Sequence, residues 1–256
     1  MSLSSAEALV LAVVDLHDRD KIVTFLTRER GKLRGVARGA RRKYSRFAGQ
    51  LQPLAKLAIT WYEKEGRELV RISGAEVVAL PTRLQGDLEG ILVGSYLAEH
   101  LIELVQENEP AELYFRLLDA TLGALAAGVD RDLVTRWFEV WALQLAGVFP
   151  VPEECPRCGR PYAAAGGAVL PASGESLVCR DCAGGAAEIG GAQAVPPEVL
   201  GLVARFARER PAELAAQPPR TADLRRIEEL TGRVRRAFLE RELRSYVVMQ
   251  RTLAGF

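Results

Sequence analysis

The chain has 256 residues, 48% of them hydrophobic and 26% charged, with a formal net charge of +1. That composition excludes a disordered or fibrous chain and leaves room for one large or two smaller folded domains. A net charge this small argues by itself against a polyanionic partner, but the average hides a local excess. From Arg28 to Arg46 there are nine cations, Arg28, Arg30, Lys32, Arg34, Arg38, Arg41, Arg42, Lys43 and Arg46, against the single anion Glu29. This local +8 leaves −7 for the rest of the chain. Such asymmetry marks a candidate binding face.

The start Met-Ser-Leu-Ser-Ser-Ala-Glu lacks the basic and apolar regions of a secretory signal. The apolar stretch Gly90 to Ala98, flanked by Glu89 and Glu99, is shorter than the roughly 18 residues of a membrane span. The expectation is a soluble cytoplasmic protein with no membrane partner.

In chain order, the first eighty residues predict strands. Leu9 to Val14, Lys21 to Thr27, Leu33 to Ala37, Leu54 to Tyr62 and Leu69 to Val78 are short, rich in β-branched residues and separated by Gly or charged clusters. Five such strands suit a small closed barrel: an OB-fold, with an SH3-like barrel as the alternative. Arg38 to Arg46, between Gly39 and Gly49, has no apolar periodicity and predicts an exposed loop.

After Pro81 the period becomes helical. Leu88, Ile91, Leu92, Ser95, Ala98, Ile102 and Val105 define a buried helix, and Asn108 with Pro110 signals the start of a second through Leu125. Asp130 and Asp132 open a third, bearing Leu133, Trp137, Val140, Trp141 and Leu145, which Gly147 and Pro150 end. Helical pattern resumes at Pro196-Pro197, and a last helix runs from Thr221 through Leu224, Ile227, Leu230, Val234 and Phe238 toward Leu243. The expected organisation is mixed α and β, in more than one domain: a five-stranded OB-fold nucleic-acid-binding domain over 1–80, then an all-α domain over 81–256 interrupted at 151–191 by a four-cysteine zinc-finger insertion.

That insertion holds all four cysteines, Cys155, Cys158, Cys179 and Cys182, as Cys-x-x-Cys, twenty residues, Cys-x-x-Cys. Two residues between thiolates let both sulfurs of a knuckle reach one metal, and the second knuckle completes a tetrahedron. Pro156, Arg157 and Gly159 supply turn residues, and one structural Zn2+ would replace the core this Gly/Ala-rich segment cannot build. Disulfides and an iron–sulfur or redox site are the alternatives. A catalytic zinc is disfavoured, because four thiolates leave no open coordination position.

A cationic run is often only a solvated face. Here it is interleaved with Tyr44 and Phe47, which could stack on bases, while Trp61 and Tyr62 either add to the platform or fill the core. The candidate DNA-binding set is Arg30, Lys32, Arg34, Arg38, Arg41, Arg42, Lys43, Tyr44 and Arg46. A second basic surface, on Arg225, Arg226, Arg233, Arg235, Arg236, Arg241 and Arg244, is offset by Glu228, Glu229, Glu240 and Glu242 and reads mainly as self-paired. No catalytic constellation emerges. His17 and His100 are far apart, no Gly-Lys-Ser/Thr phosphate loop occurs, and Asp15, Asp18 and Asp20 read as solvated turn charges rather than a nuclease metal site.

The stretch Asp20-Lys21-Ile22-Val23-Thr24, Leu26 to Leu33 and Val36-Ala37-Arg38-Gly39-Ala40-Arg41-Arg42 resembles the N-terminal signature of the RecO recombination-mediator family. Phe149-Pro150 ahead of Cys155-Pro156-Arg157-Cys158-Gly159, the second cysteine pair and Glu242-Leu243-Arg244-Ser245 extend the resemblance over nearly the whole chain. Where many members carry Gly-Gly before the third cysteine, this chain has Gly174-Glu175-Ser176-Leu177-Val178. The resemblance implies a non-enzymatic DNA repair protein that binds single- and double-stranded DNA and anneals complementary strands. With RecR it would assist RecA loading onto DNA coated by single-strand-binding protein, in a cytoplasm where it joins the nucleoid during repair. An OB-fold and zinc module that binds RNA is the alternative.

Overall fold

A computed structural model describes residues 2–64, 66–149, 153–174, 176–184 and 191–254. Pro150, Val151 and Glu175, and the terminal residues Met1 and Phe256, lie outside the described residues. Packing divides the chain into two compact units, Met1–Ala126 with Leu243–Phe256, and Ala127–Glu242.

The first unit is built on five strands, β1 Ser2–Leu16, β2 Asp20–Thr27, β3 Gly31–Ala37, β4 Lys56–Glu63 and β5 Val70–Ala79. They close into a barrel in the order β1-β2-β3-β5-β4, with β4 returning to β1 and only β3–β5 parallel. This is the five-stranded OB-type barrel expected. The first strand is longer than its apolar run suggests. Its first half pairs with β4 and its second with β2, and a bulge between Val10 and Ala12 makes the bend. Closure across β3 and β5 depends on Gly35, where a Cβ would come within 2.8 Å of Ile72 and 2.9 Å of Val70.

Alternation along the strands sends Val23, Phe25, Leu33, Leu57, Ile59, Trp61 and Ile72 into the barrel. Trp61 is 1% exposed, edge-on to Phe25 at 5.7 Å, and its indole N–H donates to Glu63 at 2.8 Å. It belongs to the core and supplies no stacking surface.

A 3-10 turn at Leu84–Gly86 leads to helices α1 Leu88–Leu104 and α2 Glu112–Ala126. Asp87 caps α1 by accepting from the Gly90 N–H at 2.8 Å. Asn108, expected as a helix cap, instead adopts φ 62° in the α1–α2 loop, and α2 begins four residues later. That loop lies on the β2–β3 turn. The Asn108 N–H donates to the Lys32 carbonyl and the Ala111 N–H to the Arg28 carbonyl, at 3.2 and 2.9 Å. Gly31, at φ 56°, makes the approach possible, since a Cβ there would stand 1.8 Å from the Glu109 carbonyl oxygen.

The last expected helix, from Thr221 toward Leu243, ends a little early, and a further helix that was not expected follows it. Helix α7, Thr221–Leu239, stops where Glu240 turns left-handed at φ 57°, and α8, Arg244–Leu253, belongs to the first unit, where it packs on α1. Glu99 of α1 fixes the start of α8 by accepting from the N–H groups of Arg244 and Ser245 at 3.1 and 2.7 Å.

In the second unit, α3 Arg131–Leu145 is capped by Asp130, which accepts from the Leu133 N–H at 2.9 Å. It packs with α5 Pro197–Phe206, α6 Pro211–Ala216 and α7. Charged side chains lie buried along α3 and α7. Glu139 accepts from Thr231 at 2.8 Å, Arg136 reaches Glu228 at 3.0 Å, and Arg235, 1% exposed, donates to Glu242 at 2.6 Å. Arg235 and Arg236 are thereby tied to Glu242 within the unit. The cysteine lobe carries β6 Ala168–Leu170, β7 Val178–Cys179, α4 Arg180–Ala183 and β8 Gln193–Val195, with the sheet ordered β7-β6-β8. These short pieces had no periodic signal to reveal them.

Candidate metal centre and nucleic-acid interface

The metal centre assembles two distant chain segments. In the first knuckle the N–H groups of Cys158 and Gly159 turn back onto the Cys155 carbonyl at 3.3 and 2.8 Å, and Gly159 adopts the left-handed φ of 68° that the turn needs. In the second, Cys179 ends β7, paired with Ala168 of β6, and Cys182 sits one turn later in α4. The Cys179 N–H, reaching the Cys155 sulfur, joins the two knuckles directly. Arg157 adds to this by donating to the Cys182 carbonyl at 2.9 Å, and Arg160 pairs with Asp181.

All four Sγ atoms lie within 4.8 Å of one another. Cys158 and Cys179 are 3.7 Å apart, close to the edge, about 3.8 Å, of a tetrahedron with metal–sulfur bonds of about 2.3 Å. All four cysteines are free thiols. The Cys179 N–H donates to the Cys155 sulfur at 3.3 Å and the Cys182 N–H to the Cys179 sulfur at 3.4 Å, contacts that suit negatively charged sulfur. Burial pushes the Cys155 thiol up, but hydrogen bonds from backbone N–H groups and Cys179 outweigh it and bring it down to about 6. Burial and the surrounding thiols hold the Tyr162 phenol up at about 12, and its O–H donates to the Leu177 carbonyl at 2.7 Å. The donor set fits one tetrahedral metal ion, with every coordination position filled by protein.

The basic stretch divides when its residues are placed. Arg28 pairs with Glu112 at 2.9 Å and lies over the Phe115 ring at 4.2 Å. Arg30 pairs with Glu63 at 3.1 Å. Lys32 donates to the Ile102 carbonyl in the last turn of α1. Burial lowers the Lys32 ammonium, opposed by Glu107 and Glu103. Arg41 is held by Asp15 at 3.4 Å and by the His17 carbonyl at 2.8 Å. By contrast, Arg34, Arg38, Arg42, Lys43 and Arg46 are exposed and make no ion pair or side-chain hydrogen bond among the described residues.

The aromatic expectation also divides. Tyr44 is 89% exposed beside the Lys43 ammonium, whose nitrogen is 5.6 Å from the ring centre. Phe47 is 3% exposed and buried in the barrel core, which corrects its expected role as a stacking residue. The connection from β3 to β4 uses this ring to anchor itself, and Arg46 lies over it at 4.9 Å. Turns running from Arg42 to Gln50 hold the connection as ordered structure rather than open loop. His17 is an exposed turn residue with φ 51°, and His100 is buried on α1 with Nδ1 3.2 Å from the Tyr96 carbonyl oxygen.

Beside this connection lies a cleft of about 740 Å³, lined by His17 to Asp20 of the β1–β2 turn, Arg38, Gly39, Arg42 and Arg46 of the connection, and Arg71 of β5. Arg19, set between Asp18 and Asp20, and Arg71 lie outside the cationic run from Arg28 to Arg46 that defines the expected set. The only signal was indirect: Arg71 sits at an outward position opposite Val36 of β3.

No helix among the described residues is long and apolar enough to cross a membrane. Two family models match, "Recombination protein O N terminal" over residues 1–81 and "Recombination protein O C terminal" over 85–246. The chain is similar to proteins named DNA repair protein RecO. That of Anaeromyxobacter dehalogenans strain 2CP-1 is 37% identical, across 99% of this chain and 96% of its own length. That of Anaeromyxobacter sp. strain Fw109-5 is 34% identical across 96% and 93%, and that of Geobacter metallireducens is 32% identical across 80% of both. An OB-type barrel followed by helices with a four-cysteine centre, matched by these models over 1–81 and 85–246 and by relatives over most of their length, places the chain in the RecO family of DNA repair proteins.

Proposed function

We propose that this protein is a DNA-binding recombination mediator that makes and breaks no covalent bonds. It binds single- and double-stranded DNA, brings complementary strands together, and with RecR assists RecA loading onto DNA coated by single-strand-binding protein. It does so in the cytoplasm, at the nucleoid during repair. In this reading residues 1–80 are the nucleic-acid-binding domain, and 81–256 are the helical domain interrupted at 151–191. One Zn2+ is held by Cys155, Cys158, Cys179 and Cys182, since four thiolates in tetrahedral spacing are the donor set of structural zinc.

The observation that carries the DNA reading is the group of unpaired cations Arg34, Arg38, Arg42, Lys43 and Arg46 on one barrel, with exposed Tyr44 among them. Annealing needs phosphate repulsion removed, and guanidinium and ammonium groups that no carboxylate neutralises do this while counterions leave both strands. Tyr44 adds a base-stacking face, worth about 1–3 kcal/mol per base. Arg30, Lys32 and Arg41 complete the surface we assign, as its supports, because their own charges are engaged within the chain.

The test is equilibrium titration with labelled single-stranded DNA, matched RNA and a strand-annealing assay. With about five phosphates contacted, log affinity should fall against log salt with a slope near −3.5. Arg38, Arg42 and Lys43 changed together to Glu should lower affinity by about a hundredfold or more and abolish annealing, with an unchanged circular dichroism spectrum. Parent-like binding in that variant rejects the surface, and a marked preference for RNA rejects the DNA reading. Hydrolysis of ATP, or degradation of DNA with magnesium, would reject the non-enzymatic reading.

A further inference from the structure

We infer that the cleft between the β1–β2 turn and the β3–β4 connection is a phosphate clamp that grips successive phosphates of one DNA strand, with Arg19 and Arg71 as two of its ligands. This rests on the DNA-binding reading above and adds a site to it.

Five guanidiniums line one cleft of about 740 Å³: Arg19 from the turn, Arg38, Arg42 and Arg46 from the connection, and Arg71 from β5. All five are exposed, and none is in an ion pair among the described residues. Among the described residues two carboxylates, Asp18 and Asp20, share the lining, and the one on Asp20 accepts from the Gly39 N–H at 2.8 Å. Like charges gathered this way repel one another, and two carboxylates against five guanidiniums do not fully offset that repulsion. An anion with several oxygens does, and arginine forks match phosphate oxygens two at a time.

The walls are fixed in advance. The Arg41 N–H donates to the Arg19 carbonyl at 3.0 Å, and the Arg41 guanidinium bonds the His17 carbonyl and Asp15. With the Asp20–Gly39 bond, these contacts join turn and connection into one rim. Arg41 is thus a positioning residue whose charge is engaged in the rim, and Arg19 and Arg42 flank it. On the barrel surface, Val36 of β3 lies opposite Arg71 of β5, so the outward line Arg34, Val36, Arg38 has Arg71 beside it. A strand lying along β3 would meet cations on both sides. The volume exceeds what one phosphate fills and the lining is charged rather than apolar, which fits a backbone passing through rather than an enclosed base.

The experiment uses the full chain with Arg19→Gln and Arg71→Gln combined, and, as a surface control, Arg225→Gln with Arg226→Gln. Binding of an unstructured single-stranded oligonucleotide is titrated across a salt series. The clamp predicts a loss of affinity of about tenfold or more. The log–log salt slope should become shallower by about 1.4, two phosphates at about 0.7 each, with the melting temperature of the free protein equal to or above the parent's. Parent affinity and slope in the double variant overturn the clamp. If the parent itself fails to bind DNA, the DNA-binding reading falls first. A second arm measures the melting temperature with inorganic phosphate at constant ionic strength. Stabilisation of the parent by phosphate, lost in the double variant while DNA binding stays intact, would make the cleft a seat for free phosphate and overturn its assignment to the strand.

Discussion

Residues 28–32 and 38–46 lie close in sequence and both are rich in cations, yet the fold treats them differently. In the first segment, Arg28, Arg30 and Lys32 are turned inward on their own unit, onto Glu112, Glu63 and the end of α1. In the second, Arg38, Arg42, Lys43 and Arg46 have no such partners among the described residues, and of its cations Arg41 has the ion pair, with Asp15. The cause is topological. The β2–β3 turn is covered by the α1–α2 loop through Gly31, Asn108 and Ala111, so cations there meet carboxylates and carbonyls. The β3–β4 connection is anchored by buried Phe47, Leu51 and Leu54, and the charged ends of Arg38, Arg42, Lys43 and Arg46 stay in solvent. A local charge of +8 therefore overstates the free charge.

The largest effect is expected from a site outside both segments. Cys179→Ser, or removal of metal by a chelator, should cost several kcal/mol, of order 5 or more, because the lobe is ordered through its thiolates. Native mass spectrometry should read one zinc per parent chain and none in the variant. DNA affinity per folded molecule should change less than about threefold. A larger loss would mean that free cations on the barrel are not the whole surface.

Next in size is the charge reversal of Arg38, Arg42 and Lys43, where binding falls and the melting temperature does not. Lys32→Met should show the opposite pattern. Losing the charged donor to the Ile102 carbonyl should destabilise by about 1–2 kcal/mol, visible in urea unfolding, while the salt slope of DNA binding stays within error of the parent. A slope shallower by about 0.7 would move Lys32 into the phosphate-contacting group. Smallest is Arg30→Gln, which removes a partly exposed pair with Glu63. About 0.2–1 kcal/mol of stability and less than a twofold change in affinity are expected, and a tenfold loss of affinity would erase the distinction between the segments.

Much was legible in the chain because it rests on local rules. Alternating β-branched residues announced all five barrel strands, since one face of each must be buried. The period of three to four announced α1, α2, α3, α5 and α7. Two Cys-x-x-Cys pairs announced the metal centre, because a knuckle is a local turn. The break at Glu240 left no mark, as a left-handed residue other than Gly or Asn carries little signature. The three short strands of the cysteine lobe were equally silent, being too short for a period to show.

What the sequence determined by itself is therefore the inventory: five strands, the helical periods, four thiols at metal-binding spacing and a concentration of cations before residue 47. Tertiary structure alone decided their employment. It buried Phe47 and Trp61 while exposing Tyr44, and it gave Arg28, Arg30, Lys32 and Arg41 internal partners. It also gathered Arg19 and Arg71 to the connection from 19 residues before Arg38 and 25 after Arg46. The physical reason is that charge, unlike hydrophobic period, carries no information about its partner until strand pairing and helix docking bring a carboxylate near it or leave it in water.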